Sequence, residues 1–319
     1  MASAAIIETR QTVKRFGEIR AVDGVDLAVE KGEIFGLIGH NGAGKSTLFK
    51  MMLGLLLPTS GEIRIDGRPP AGEAFRQIRR SIGYLPENVA FYDHLTGLET
   101  LRFFADLKGT DRNACLPLLD KVGLGHAARR RVHGYSKGMR QRLGFAQAML
   151  GNPKILFLDE PTTGLDPEGI RDFYRILDAM RAQGTTVILT SHILAEIQER
   201  VDRLAIMKMG RIDALGTMQS LREQADIPLR LQIDLRGGDA DTVRRLLRQA
   251  GATEVNGSDG MISARCARQR KMETLRMLAS LPAIVDIQIR EPTLEDVFLG
   301  YGQENAEECM ESSEKEGWL

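Results

Sequence analysis

The first apolar positions along the chain alternate with polar ones. Val25, Leu27 and Val29 are separated by Asp26, Ala28 and Glu30, the period of a strand with one buried face. Residues 6–30 therefore read as antiparallel β structure with a turn. Ile34-Phe35-Gly36-Leu37-Ile38 has no polar position and reads as a strand buried on both faces. The period then lengthens to that of a helix through Leu48, Met51, Met52 and Leu55, and Leu57-Pro58-Thr59-Ser60-Gly61 ends it. Alternation returns over Glu62 to Asp66, and Ile82 to Leu85 is a further short strand.

From Asn88 to about Arg131 the pattern is helical again. Leu98, Leu101, Phe104 and Ala105 mark one amphipathic helix, and Leu116, Leu119 and Val122 another. Ser136 is placed to cap a third, carrying Leu143, Ala146, Gln147 and Leu150, which Gly151-Asn152-Pro153 stops. Ile155-Leu156-Phe157-Leu158 reads as a buried parallel strand with Asp159 and Glu160 at its C-terminal edge, where α/β sheets bind ligands. A helix follows with Ile170, Phe173, Ile176, Leu177 and Met180, then a strand over Thr186 to Thr190 that runs into Ser191-His192.

Composition shifts near Gly216. Beyond it come a strand (229–235), a helix (239–250), two short strands around Gly257 to Gly260, a helix (268–281) and a strand (284–289), a βαββαβ order of ferredoxin-like kind. Pro292 to Phe298 reads as a capped terminal helix. The expected organisation is an α/β domain over 1–220, with an antiparallel β subdomain and a helical insertion at about 88–150. An α+β accessory domain over 221–300 and an acidic, disordered tail over 301–319 complete it.

Composition narrows the function classes. The chain has 319 residues, 43% hydrophobic and 27% charged, enough for a sizeable core. Lys plus Arg and Asp plus Glu both number 43, a balance that argues against a dedicated nucleic-acid binder and leaves room for a standing protein partner. Arg129-Arg130-Arg131 reads as a solvated face. Cys115, Cys266 and Cys309 are too scattered for a disulfide framework or a zinc site and fit a reducing cytoplasm. The N-terminus has no signal pattern and no apolar run approaches the roughly 20 residues of a membrane span. Any spanning helices would come from another chain.

One stretch carries chemistry by itself. Gly39-His40-Asn41-Gly42-Ala43-Gly44-Lys45-Ser46-Thr47 follows the phosphate-loop pattern between a strand and a helix. Glycines let successive backbone N–H groups line an anion nest, and the helix N-terminus adds its unpaired donors. Lys45 would neutralise the outer phosphates and Ser46 would bind Mg2+. Phe16, the only aromatic of Lys14-Arg15-Phe16-Gly17, either packs on the core or faces a ligand.

Taken in order, Phe16, the phosphate loop, Ser136-Lys137-Gly138, Asp159-Glu160 and His192 resemble the motifs of the ATP-binding subunit of an ABC transporter over residues 6 to about 220. The resemblance implies a P-loop ABC ATPase fold, ATP with Mg2+, and these roles. Phe16 stacks on adenine. Asp159 holds Mg2+ with Ser46. Glu160 is the general base for water, and His192 contacts the γ-phosphate. Ser136 to Met139 would cap the ATP of a second copy, and Asp166 would communicate across that homodimer. The signature departs from the commonest Leu-Ser-Gly-Gly-Gln, with Lys137 and Met139 as variants. Glu87 stands where the family usually has Gln, and implies a working site with altered Mg2+ dependence.

Within the family the closer resemblance is to the NosF type, the ATPase serving copper-site maturation of nitrous oxide reductase. It rests on Gly83 to Tyr92, Leu95 to Gly109, His40, and Tyr135 to Gly144. It implies a multi-helix membrane subunit of NosY type that docks on Glu87 to Gly109, a periplasmic NosD-type partner, and a peripheral position on the cytoplasmic side of the inner membrane. Glu291 to Phe298 resembles the same branch. The alternative is a drug or lipid exporter ATPase of the ABC-2 type. A translation ATPase would need two phosphate loops, and a DNA-repair ATPase a long coiled coil between Lys45 and Ser136, for which there is no room. The methionines are expected at core positions, so direct copper binding is not expected.

Overall fold

The computed structural model describes residues 5–191, 194–236, 240–258 and 260–297. The chain divides into two compact units, Met1–Leu215 and Gly216–Leu319. In the first, β1 (Ala5–Phe16) and β2 (Ile19–Glu30) pair antiparallel. Then β3 (Ile34–Ile38) leads to α1 (Lys45–Met52), and β4 (Ser60–Ile65) returns to the free side of β1. The result is a three-stranded sheet of order β2-β1-β4.

The remaining elements of this unit are α2 (Gly72–Arg80), β5 (Ile82–Leu85), α3 (Gly97–Lys108), α4 (Cys115–Lys121), α5 (Lys137–Met149), β6 (Ile155–Leu158), α6 (Pro167–Ala182), β7 (Thr186–Ser191), α7 (Leu194–Ile197), β8 (Arg203–Lys208) and β9 (Arg211–Gly216). A six-stranded sheet of order β5-β6-β7-β3-β8-β9 joins them, parallel from β5 through β8. Every residue of β3, β6 and β7 is buried, as the unbroken apolar runs of the first two require. Phe49 meets Phe157 edge to face at 5.4 Å between α1 and β6.

Several positions depart from the periodic reading. Leu55 lies past the end of α1 and is 61% exposed. The chain turns at Gly54, where an added Cβ would come within 2.4 Å of the Pro70 carbonyl oxygen, and Phe49 takes the buried place instead. In α4 the buried stripe is Cys115 and Leu119, so Leu116 faces outward. Met209, Met261 and Met272 are exposed, against the expectation of core methionines. The polar helix α2 buries only Phe75, which leaves no periodic apolar signal.

The second unit contains α8 (Met218–Gln224), β10 (Leu229–Leu235), α9 (Ala240–Gln249), β11 (Thr253–Ser258), β12 (Met261–Cys266), α10 (Lys271–Ala279) and β13 (Ile284–Arg290). The strands form an antiparallel sheet of order β11-β12-β10-β13. Alternation places Leu229, Leu231, Ile233 and Leu235 on one face, and the last three join the cluster formed with Val243, Leu247, Ile262 and Leu278. Leu294–Val297 is helical and capped reciprocally. Thr293 accepts from the Asp296 N–H at 3.2 Å, and Asp296 accepts from the Thr293 N–H at 2.9 Å. Phe298, Asp239 and the tail from 301 lie outside the described residues.

One side chain ties the helical insertion to the sheet. Lys108, at the end of α3, donates to the Ile82 carbonyl at 3.1 Å and the Leu150 carbonyl at 2.7 Å. Burial lowers its pKa from 10.5 to about 8. Between those values the unfolded chain binds the proton and the folded one does not. Stability relative to a Lys108→Met variant should therefore rise from pH 8 to 10.5, with no such trend below pH 8. At neutral pH that variant should lose about 1–3 kcal/mol through its two orphaned carbonyls. Urea unfolding of both proteins across this pH range checks the expectation.

Candidate functional site

The site begins where β3 runs out. The chain leaves Ile38, turns through the glycine loop and enters α1 with Gly44 as N-cap at φ 102°. An added Cβ at Gly39 would lie 2.3 Å from the Met207 carbonyl oxygen, and one at Gly44 would lie 2.2 Å from that of Ala21. At Gly42, φ is 82° and the space beside it is open. His40, Asn41 and Ser46 are exposed, Thr47 is half-buried, and Ala43 is buried against the core. The Ala43 N–H donates to the His40 carbonyl at 3.1 Å and closes the loop.

Lys45 is 8% exposed. Its ammonium donates to the Gly39 carbonyl at 2.5 Å and the His40 carbonyl at 3.0 Å, which leaves a third N–H for a ligand. Burial depresses its pKa, and the carboxylates of Glu160, Asp159 and Glu87 oppose that shift, in decreasing order. Those three residues come from the ends of neighbouring strands β5 and β6, and with Lys45 they form one charge cluster.

The backbone at Glu160 is unusual. Its φ is +49°, a region that non-glycine residues seldom occupy. Its N–H donates to Thr190 Oγ1 at 3.0 Å, and its carbonyl accepts from the Thr163 N–H at 3.3 Å. Thr190 Oγ1 in turn donates to Asp159 Oδ1 at 2.6 Å, and the Asp159 N–H donates to the Leu85 carbonyl at 2.8 Å. Sequence reading gave no reason to single out Thr190. It sits in an apolar strand and only the fold shows its partners.

A Mg2+ ion fits this donor set. The Ser46 hydroxyl, the Asp159 carboxylate and the Glu87 carboxylate are hard oxygen donors, and the Thr190 bond engages only Oδ1 of Asp159. Among the described residues no group of three or more His, Cys, Asp and Glu is placed to hold a metal by itself. That suits Mg2+, which takes one or two carboxylates and completes its shell from phosphates and water.

The remaining candidates lie elsewhere in the first unit. Ser136 caps α5, accepting from the Met139 N–H at 3.2 Å. Ser136, Lys137, Gly138 and Met139 line a surface groove with Asp166 and Arg142, and no phosphate-loop residue lines it. Asp166 caps α6, accepting from the Gly169 N–H at 3.1 Å, and pairs with Arg142 at 3.3 Å. Gln141 donates to the Pro161 carbonyl at 3.0 Å, a link from α5 to the loop after Glu160 that the pattern did not reveal. Phe16 is 49% exposed with the Lys14 ammonium 5.3 Å from its ring centre, so the core-packing alternative does not hold. His192 lies outside the described residues.

The family described as ABC transporter matches residues 22–163. The daunorubicin resistance ATP-binding protein DrrA3 of Streptomyces coeruleorubidus is 34% identical over 304 residues, which is 90% of this chain and 92% of that one. The bacitracin transport ATP-binding protein BcrA of Bacillus licheniformis is 40% identical over 215 residues, 66% of this chain and 69% of that one. Among solved structures, the dimeric post-hydrolysis state of the ATP-binding cassette MJ0796 bound to ADP and Pi superposes with a TM-score of 0.62. It is 26% identical and covers 66% of this chain and 98% of its own.

The two loop glycines should differ in tolerance. Gly44→Ala forces a Cβ onto the Ala21 carbonyl oxygen and should weaken anion binding about tenfold or more. Gly42→Ala meets no atom and should cost less. Titration of each variant with a fluorescent ATP analogue, with circular dichroism to verify folding, measures the difference.

Proposed function

The chain belongs to the ATP-binding proteins of ABC transporters, which bind and hydrolyse ATP, and from that membership we propose that it is the motor subunit of a membrane transporter. The observation that carries the proposal is the cluster of Lys45, Asp159, Glu160 and Glu87 beside the glycine loop. The loop N–H groups and Lys45 hold the β- and γ-phosphates. Mg2+, when bound by Ser46 and Asp159 with Glu87, supplies charge neutralisation on the phosphate oxygens. Glu160 accepts a proton from the attacking water at its carboxylate and Phe16 stacks on the adenine, while the motif order assigns the γ-phosphate contact to His192. Phosphoryl transfer asks for little beyond such positioning and charge stabilisation.

The site is half of a pair on this reading. The exposed groove of Ser136 to Met139, with Asp166 at its rim, supports capture of the ATP held by a second copy. The solved relative's dimeric state supports the same assembly. No helix among the described residues is long and apolar enough to cross a membrane, and the transporter reading places the chain as a peripheral subunit on the cytoplasmic side of the inner membrane. The exposed Tyr92, Phe103 and Leu107 in the segment Glu87 to Gly109 support docking of a separate multi-helix membrane subunit there. The second unit, with its βαββαβ order, reads as a ferredoxin-like accessory domain for dimer contacts or regulation.

For the cargo, we infer the NosF type: a NosY-type membrane subunit, a NosD-type periplasmic partner, and a copper or sulfur species for the copper sites of nitrous oxide reductase. The support is the run from Gly83 to Gly109 with His40 and the Tyr135 to Gly144 signature. The names of the relatives DrrA3 and BcrA favour the second reading, a drug exporter of the ABC-2 type with the same chemistry and a different partner.

Glu160→Gln should bind ATP normally, lose turnover by about a hundredfold or more, and accumulate a closed dimer on gel filtration with ATP. Undiminished hydrolysis would exclude Glu160 as the base. Deletion of the gene in its host should yield nitrous oxide reductase deficient in copper by elemental analysis. A fully loaded reductase together with new drug sensitivity selects the exporter reading.

A further inference from the structure

We propose that Thr190 is a positioning residue for hydrolysis, whose hydroxyl fixes the Asp159 carboxylate and the Glu160 backbone relative to each other. The inference rests on the reading of Asp159 and Glu160 as the Mg2+ ligand and the base. Thr190 has 0% exposure within β7, between the buried strands β3 and β6. The three residues before it in the strand are Val187, Ile188 and Leu189, and the buried Ser191 follows it. Valine has the shape of threonine and would fill the place without the cost of a buried hydroxyl. Packing does not explain the oxygen, but its two bonds do.

The direction of those bonds follows from donor inventory. A threonine hydroxyl offers one hydrogen and two lone pairs. The Glu160 N–H can only donate, so it takes a lone pair at 3.0 Å. An ionised Asp159 can only accept, so the single hydroxyl hydrogen goes to its Oδ1 at 2.6 Å. One carboxylate oxygen is thereby committed, and the bond limits how far the carboxylate can turn. The same hydroxyl holds the first backbone atom of Glu160, whose φ of +49° persists only under external restraint. The Thr163 N–H grips the carbonyl of Glu160 from the other side. Thr186, at the opposite end of β7, uses its hydroxyl differently, accepting from the Gly32 N–H at 2.8 Å far from the charge cluster.

Loss of this oxygen should act on geometry more than on nucleotide affinity. Thr190→Val should lower kcat about tenfold to a hundredfold, with ATP affinity in the presence of EDTA unchanged. The Mg2+ concentration for half-maximal tightening of ATP binding should rise several-fold. In the nucleotide-free, metal-free protein the Glu160 amide should exchange hydrogen faster by at least tenfold. Thr190→Ser, which restores the hydroxyl, should recover kcat, Mg2+ dependence and amide protection to near wild type. Wild-type kcat and Mg2+ dependence in Thr190→Val, alongside an inactive Glu160→Gln, overturn the inference alone. Equal impairment of the Val and Ser variants overturns it in favour of methyl packing. Retained turnover in Glu160→Gln removes the underlying reading and the inference with it.

Discussion

Parallel strands deliver their C-terminal ends to one edge of a sheet, and this constraint builds the site. β3 ends in the glycine loop, β5 runs to Glu87, and β6 ends at Asp159 and Glu160. β7, between β6 and β3, brings Thr190 against the two acids. Residues separated by more than a hundred positions meet because the strands that carry them are covered on both faces and cannot slip in register without exposing apolar side chains. The buried Lys45 ammonium faces three carboxylates as a result.

Much of this was legible beforehand because its signals are local. The unbroken apolar run of Ile34 to Ile38 and the glycines after it determine strand, loop and helix within a dozen residues. Ser136 and Asp166 are caps whose partners lie three residues away. What the sequence concealed is contact across strands. Thr190 reads as one more β-branched residue until β6 is laid beside it, and Gln141 as a polar face until the loop after Glu160 arrives. The polar helix α2 and the exposed turn at Leu55 were hidden for a simpler reason: they bury too little to leave a period.

The two units illustrate different uses of the same periodicities. In the first, the wholly buried strands bring their C-terminal ends together, and most side chains along β3 and β6 fill the core while Thr186 and Thr190 of β7 also make hydrogen bonds. In the second, the alternation along β10 closes a single small core with two helices, and some of its charged side chains pair with one another, as Arg268 and Lys271 do through Glu291. Those pairs are partly exposed and add little stability.

The tie made by Lys108 has a mechanical meaning. It grips β5 at its first residue, Ile82, while Glu87 stands just beyond its last, Leu85. A strand of this length is a rigid rod of about 13 Å, and its middle is wedged against α5, where a Cβ at Gly83 would strike the Ala148 carbonyl. Through Lys108 the end of α3 and the first residue of β5 are held together, so the two cannot shift apart without breaking the bond to the Ile82 carbonyl.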